Sequence, residues 1–256
     1  MPKSIRFEFG RNRITGATDA LLRFAESLKG IHCGWGDGMN RPVERYWERR
    51  LENCRKSLKS NHFEAYLAND RAGAKRIFME DILPKIQVKS VSWGDSLTFH
   101  ATGILGEMRR NPDIEILETF AENVSRDQLI ERRRQALLTD LFFTGSNAVT
   151  ETGKLVNLDM VGNRVGAITF GPKNIVIFAG RNKIVSDVEA AMKRIKSYAA
   201  PLNAIRHPDL QTPCIKTFCC MDCNSPDRIC NVWTITEKSF PAGRIKVVLI
   251  NEDLGL

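Results

Sequence analysis

The sequence predicts an α/β protein with a Rossmann-like, mostly parallel sheet, flanking helices and a cysteine-rich loop in its C-terminal part. Two observations predict this class. Short apolar runs alternate along the chain with segments whose apolar residues recur at helical spacing, as they do in βαβ units. Five of the seven cysteines fall between Cys214 and Cys230, which sets that segment apart as a loop between structured elements.

Residues 1–38 are predicted to be an extension, and residues 39–256 to be one α/β domain that includes the cysteine-rich loop, residues 212–231. Met39 follows the turn-rich GWGDG at a natural domain start, so a misplaced initiation site is an alternative. The extension lacks the uninterrupted apolar run of a secretory signal. No apolar run approaches the roughly 20 residues of a membrane span. We therefore expect a cytoplasmic protein that does not enter a membrane.

The first half of the domain alternates between helices and strands. Apolar positions at helical spacing predict a helix over residues 43–58 and another over residues 70–82, which Pro84 ends. The loop after Trp93 leads into a third helix, whose apolar side runs to Met108. Strands are predicted at residues 64–68, 88–93 and 114–117.

The second half continues this alternation. A capping-box pattern at Ser125 starts a basic helix through Leu138, whose run of three arginines is expected to face solvent. Ser186 is predicted to cap a helix that Pro201 ends. A short helix is predicted at residues 162–170, and strands at residues 141–147, 154–158, 174–179, 232–236 and 245–250.

The formal net charge of +8 is compatible with a polyanionic partner. The basic residues are scattered, however, and no aromatic-rich nucleic-acid motif accompanies them. The charge therefore argues weakly for nucleic acid, and a small anionic substrate accounts for it equally well.

Polar residues with catalytic or binding potential crowd the stretch between the strands at residues 141–147 and 174–179. Glu151 lies between a strand and a glycine turn, a setting that suits a nucleophilic or general-base carboxylate. Asp159 is a second candidate for catalysis. The candidates for substrate binding are Asn147, Asn157, Asn163 and Arg164, the last through bidentate contact with a carboxylate or phosphate. The structural alternative is an ion pair between Asp159 and Arg164, with the asparagines satisfying loop backbone.

The loop after the strand at residues 88–93 is a second candidate for substrate binding. Gly94, Ser96 and Thr98 offer backbone donors and hydroxyls at the start of a helix, where the helix dipole favours an anion. The alternative is that Ser96 only caps the helix.

The cysteines give the strongest pattern. Cys214, Cys220, Cys223 and Cys230 are spaced C-x5-C-x2-C-x6-C, which suits four thiolate ligands for zinc or an iron–sulfur cluster. Cys219 is a fifth candidate, and Asp222 and Arg228 are expected to orient the loop. The alternatives are buried free cysteines or a redox-active thiol pair.

Several of these segments together resemble the LUD-domain family of lactate-utilisation-type proteins. They are TGSNAVTETGKLVNLDMVGNRVGAITFGPKNIVIFAG, VSWGDSLTFHATGI, CMDCNSPDRIC and RIKVVLINEDLG, and the resemblance extends over about residues 43–256. It implies a fold related to ribose-phosphate isomerases and CoA transferases, in which the loop at Gly94, Ser96 and Thr98 binds phosphate or an acyl substrate. Asp95 stands where relatives often have glycine. Thr150-Glu151-Thr152-Gly153 also resembles the turn that carries the glutamate nucleophile of CoA transferases.

Two functions from different classes follow. In the first, the protein is a component of organic-acid oxidation, with lactate as the implied substrate and iron–sulfur redox proteins as the implied partners. In the second, it is a group-transfer or isomerase-type enzyme for a phosphorylated or CoA-linked substrate, with Glu151 catalytic. A non-enzymatic ligand-binding subunit is a third possibility.

Overall fold

A computed structural model describes residues 35–256, with side chains from residue 41. Residues 1–34, most of the predicted extension, lie outside the described residues. The chain divides into two compact units, Met1–Arg45 and Tyr46–Leu256. In the first unit the described residues belong to the beginning of a helix. The second unit contains both sheets.

The described residues contain ten strands, most of which begin and end close to the apolar runs of the sequence. They are β1 (Glu64–Ala68), β2 (Ser90–Trp93), β3 (Glu115–Ile116), β4 (Leu141–Gly145), β5 (Ala148–Thr150), β6 (Leu155–Asp159), β7 (Asn174–Gly180), β8 (Ile184–Val185), β9 (Val232–Thr236) and β10 (Ile245–Ile250).

The helices are mostly short. They are α1 (Trp35–Ser60), α2 (Arg71–Ile77), α3 (Leu97–Ala101), α4 (Ile104–Arg110), α5 (Arg126–Gln135), α6 (Asn163–Phe170), α7 (Val188–Arg194), α8 (Ala200–Ile205) and α9 (Cys214–Thr217).

The main sheet has six strands in the order β1-β10-β7-β4-β2-β3, and every neighbouring pair is parallel. β7 and β10 are interior strands of this sheet and are apolar along almost their whole length, because both faces of a parallel sheet are covered. The predicted α/β fold with a mostly parallel sheet is confirmed. All six carboxyl ends meet at one edge, where ligand sites of such sheets are usually found.

A second sheet of four strands was not predicted as a separate sheet. Its order is β8-β5-β6-β9, with β5 and β9 antiparallel to β6 and β8 parallel to β5. The predicted strand at residues 141–147 in fact ends at Gly145, and the chain enters β5 after a two-residue break. β5 and β8 are too short to show a period-two pattern, so the sequence did not reveal them.

The two faces of the main sheet pack different cores. On one face, α1 contributes Leu51 and Leu58 to a cluster with Phe142 and Ile177. On the other, an aromatic cluster forms around Phe143, whose ring lies 4.7 Å from that of Phe99 and 5.0 Å from that of Phe78. Adjacent residues of β4 thus serve opposite cores, as the alternation of side chains along a strand requires.

Three helix predictions need correction. The helix after Ser96 is two helices, because Gly103 has a φ of 69° and breaks the run between α3 and α4. Asp187 caps α7 instead of Ser186, since its carboxylate accepts from the Ala190 N–H at 2.8 Å. Pro201 does not end that helix. It lies at the start of α8, where the N–H that proline lacks is less needed, and a π-helical turn links α7 to α8.

No described helix combines the length and apolar character needed to cross a membrane.

Candidate functional site

A cleft of about 350 Å³ opens at the carboxyl edge of the main sheet. Its walls come from the loops after β2, β4 and β6, from α5 and from the segment after α8. A volume of this size suits a small organic molecule. The polar residues that line it and matter below are Ser96, Arg133, Asn147, Asp159, Asn163, Arg164 and Lys183.

Arg164 is the centre of a hydrogen-bond network in the wall of the cleft. It is 8% exposed, and its Nε donates to Asp159 at 3.1 Å. One terminal nitrogen donates to Asn157 Oδ1 at 3.0 Å and to the carbonyl of Gly145. The other donates to Asn147 Oδ1 at 2.7 Å and to a backbone carbonyl of β6. Every N–H of the guanidinium is therefore used within the protein.

The partners of Arg164 also hold one another and the backbone. Asn157 accepts from the Asn147 N–H, while the Asn147 side chain accepts from the Leu158 N–H, each at 3.0 Å. Asp159 accepts from the N–H groups of Arg164 and Val165 at the start of α6, where the helix dipole favours a negative charge. The structure thus brings together four predicted site residues, Asn147, Asn157, Asp159 and Arg164. Their side chains bind one another and the loop backbone, which is a structural role.

Asn163 differs from these four. It lines the cleft, and its side chain has no hydrogen-bond partner among the described residues. It is therefore the predicted binding residue whose side chain is most available to a ligand.

The loop at Gly94 contributes mainly support. Ser96 is 8% exposed at the cleft wall and caps α3 by accepting from the Phe99 N–H. A Cβ on Gly94 would come within 3.0 Å of the Arg164 side chain, so glycine lets that arginine pack against the loop. Thr98 is fully buried behind the cleft, where its hydroxyl donates to the Leu254 carbonyl.

Glu151 lies apart from the cleft. Its carboxylate pairs with the Arg50 guanidinium at 2.5 Å, and its side chain is 43% exposed. It lies in the predicted turn, with Gly153 in the left-handed region at a φ of 78°. The structure does not bring Glu151 together with the other predicted site residues.

Lys183 lines the cleft but was not among the predicted site residues. It follows β7, its side chain is buried, and its Nζ donates to Thr98 Oγ1 at 2.9 Å. Burial, together with the nearby charges of Arg194 and Arg164, lowers the pKa of Lys183 to about 7. The sequence did contain one signal for Lys183, because this lysine follows shortly after the carboxyl end of a strand that is predicted to be buried.

Arg133 is the second cleft residue that the sequence did not indicate. The prediction that the arginine run faces solvent is wrong for this residue, which is half-buried with its guanidinium 5.6 Å from the centre of the Phe120 ring. Its Nε is buried and has no hydrogen-bond partner among the described residues. Arg134, by contrast, is exposed and pairs with Glu131.

The four predicted cysteine ligands line a second, smaller and mostly apolar cavity. Ile229 belongs to the walls of both this cavity and the cleft, so the two are neighbours. Cys219 is exposed and lies outside the small cavity, which leaves it apart from the other four thiols.

The loop around the cysteines is held by ionic contacts, as expected for Asp222 and Arg228. Asp222 accepts from Lys196 at 2.9 Å and from Arg228 at 2.7 Å. Arg228 also donates to the carbonyls of Cys223 and Cys230. Lys196 Nζ lies 3.8 Å from the sulfur of Cys230. Two cations therefore stand beside the thiols.

This arrangement fits a thiolate-bound group in donor type and in charge. Four thiols face one cavity, and the cations beside them would offset the negative charge of thiolates. Within the described residues, no three side chains of histidine, cysteine, aspartate or glutamate are already placed to hold a metal ion. Ligation would therefore require the thiols to move closer together.

Comparison with known proteins places these features in a family. The sequence model of one protein family, the LUD domain, matches residues 51–250. No curated protein matches the chain. One similar solved structure is a DUF162 family protein from Deinococcus radiodurans, with 11% sequence identity, a TM-score of 0.44, and coverage of 80% of this chain and 98% of that one.

Proposed function

Because the chain belongs to the LUD domain family, we propose that it is a component of organic-acid oxidation. The cleft binds a small hydroxycarboxylate such as lactate, and the cysteine cavity carries a thiolate-bound iron–sulfur cluster. The observation that carries the proposal is the shared wall at Ile229, which puts a ligand-sized cleft beside four thiols.

The charges of the cleft support an anionic ligand. Arg133 lines it and has no carboxylate partner among the described residues. Arg164 is bonded within the network described above, and Arg206 lies 3.5 Å from Asp95 and is already paired. A guanidinium in the lining of a cleft is suited to a carboxylate, which it can bind with two parallel hydrogen bonds.

The proximity of the two cavities supports a redox role. Oxidation of a 2-hydroxy acid to a 2-oxo acid releases two electrons and two protons. An iron–sulfur cluster would pass the electrons one at a time to an external iron–sulfur protein, and the protons leave to solvent. Zinc at the same thiols would be structural, because zinc has no redox chemistry.

Group transfer by Glu151 is not favoured by any observation. The carboxylate is paired with Arg50 and is separate from the cleft.

The first test is the metal content of anaerobically purified protein. We expect iron and acid-labile sulfide, a visible absorption band, and loss of all three in the Cys220→Ser/Cys223→Ser variant. Cys219→Ser is the matched control, because that thiol lies outside the small cavity and should be dispensable. Zinc alone, or no metal, would contradict the redox proposal.

The second test is calorimetric titration of the same protein with lactate. We expect Arg133→Ala to weaken binding about tenfold, because it removes a charged hydrogen-bond donor from the cleft. The matched control is Arg134→Ala, the exposed neighbour that pairs with Glu131. Absence of lactate binding by the wild type, or equal loss in both variants, would contradict the assigned cleft.

A further inference from the structure

The amino group of Lys183 is unusually placed for a lysine. Lys183 lines the cleft, its amino group is buried, and among the described residues the only hydrogen-bond partner of that group is the Thr98 hydroxyl at 2.9 Å. A buried ammonium ordinarily has a carboxylate partner, because an unpaired charge is costly to bury. Here the nearby charges are those of Arg164 and Arg194, which repel a proton instead of attracting one.

The surroundings favour a neutral amine over an ammonium. Burial and two neighbouring guanidinium groups act in the same direction, and together they bring the pKa of Lys183 to about 7. Thr98 can accept one N–H while its own hydroxyl donates to the Leu254 carbonyl. A neutral amine held in this way keeps a lone pair, which is the condition for a nucleophilic lysine.

We propose that Lys183 forms an imine with the carbonyl group of a small 2-oxo acid bound in the cleft. The choice of an oxo acid rests on the proposed function, since it is the oxidation product of a hydroxy acid. The nucleophilic site itself rests on the position of Lys183 in the lining of the cleft, on the burial of its amine and on the single hydrogen bond of that amine to Thr98.

The step is balanced without an oxidant or a cofactor. The lone pair of Nζ forms a bond to the carbonyl carbon, and the carbonyl oxygen takes up a proton. Loss of a second N–H proton and of the hydroxyl group as water then gives the C=N bond. One water is released for each imine formed, and the reaction reverses when water returns.

The carboxylate of the oxo acid would be bound by the guanidinium of Arg133. Arg133 lines the same cleft, and among the described residues it has no carboxylate partner. An oxo acid has the two groups that these side chains require, a carbonyl for the amine and a carboxylate for the guanidinium.

The experiment is trapping of the imine with sodium borohydride in the presence of pyruvate. Hydride reduces the C=N bond to a stable secondary amine, so intact mass should rise by one reduced pyruvate adduct per chain. Peptide mapping should locate that adduct on Lys183. We expect the adduct to be absent from Lys183→Met and from Lys183→Arg, which keeps a long basic side chain but has no nucleophilic amine. Lys193→Met, at an exposed position on α7, is the matched control and should be trapped as the wild type is.

Calorimetry with pyruvate, without borohydride, separates this inference from the proposed function. If pyruvate binds but forms no adduct, the imine is contradicted, whereas the proposal that the cleft binds a small carboxylate is not. Adducts spread over several exposed lysines, or retained in a folded Lys183→Met variant, would also contradict the imine. If neither pyruvate nor lactate binds, both the proposed function and the imine are contradicted. Mapping of the wild type gives a result even where a variant does not fold.

Discussion

Lys183 and Arg164 show how differently two basic side chains can be buried a short distance apart. Arg164 donates every N–H to oxygen atoms of the protein, so its charge is compensated within the network. Lys183 donates to one hydroxyl and faces two guanidinium groups. A fully bonded side chain serves structure, whereas a poorly compensated one at a cleft is a candidate for chemistry.

The pKa of Lys183 predicts a pH dependence of stability. The folded pKa of about 7 lies below the ordinary value of 10.5, so between these pH values the unfolded chain binds more protons than the folded one. The free energy of unfolding should therefore rise with pH across this window, by up to about 1.4 kcal/mol per pH unit from this group. Lys183→Met should lose this contribution.

The measurement is urea unfolding of both proteins at several values between pH 7 and 9. We expect the wild type to gain stability relative to Lys183→Met as pH rises, with Lys193→Met following the wild type. The charged groups that face the amine are Arg164 and Arg194. A constant difference between wild type and Lys183→Met would show that the amine keeps its ordinary pKa.

At the scale of elements, the turn between β5 and β6 is fitted closely to the end of α1. Asn61 donates to the carbonyls of Thr152 and Gly153, each at 2.9 Å. A Cβ on Gly153 would lie 2.5 Å from the backbone carbon of Ser57, and its φ of 78° already disfavours a side chain. This turn therefore fixes where the second sheet meets the helix.

Gly153→Ala should destabilise the protein by at least about 2 kcal/mol, because it adds backbone strain to a steric clash. Gly106→Ala is the matched control. Gly106 lies in α4 with open space where its Cβ would be, so alanine there should be neutral or stabilising by about 0.5–1 kcal/mol. Chemical unfolding of both variants tests the pair, and equal effects would contradict the described packing of the turn.

At the scale of the whole molecule, the Arg164 network joins the two sheets. Its guanidinium reaches Gly145 at the end of β4, in the main sheet, and Asn157 and Leu158 of β6, in the second sheet. Of these residues, Gly145, Leu158 and Arg164 line the cleft. The shape of the site therefore depends on how the sheets are held together.

Arg164→Met should lower the free energy of unfolding by about 3–5 kcal/mol, because Asp159 and several buried oxygen atoms lose their partner. Arg206→Met is the control. It also removes a cleft arginine, but one that is about one-third exposed and has a single, longer ionic contact, so its cost should be below about 1 kcal/mol. Similar losses in thermal or urea unfolding would contradict a structural role specific to Arg164.

The sequence by itself determined the fold class and the longer elements. The apolar runs of β4, β7 and β10 and the capping box of α5 are local signals, and the structure agrees with them. It also indicated the asparagines, Asp159 and Arg164 as one group, because these residues are close along the chain. The four cysteines of the predicted ligand set line one cavity, although ligand binding there stays a prediction.

Only the tertiary structure decided which side chains share the cleft. Lys183 meets Thr98 across 85 positions of sequence, and Glu151 pairs with Arg50 across 101, contacts that no local pattern encodes. Of the second sheet, β6 and β9 were predicted, whereas β5 and β8 were not, since strands of two or three residues are too short to show a period. Sequence periodicity shows which face of its own helix or strand a residue occupies. The partners and the burial of its side chain, which determine its pKa and reactivity, depend on packing between elements.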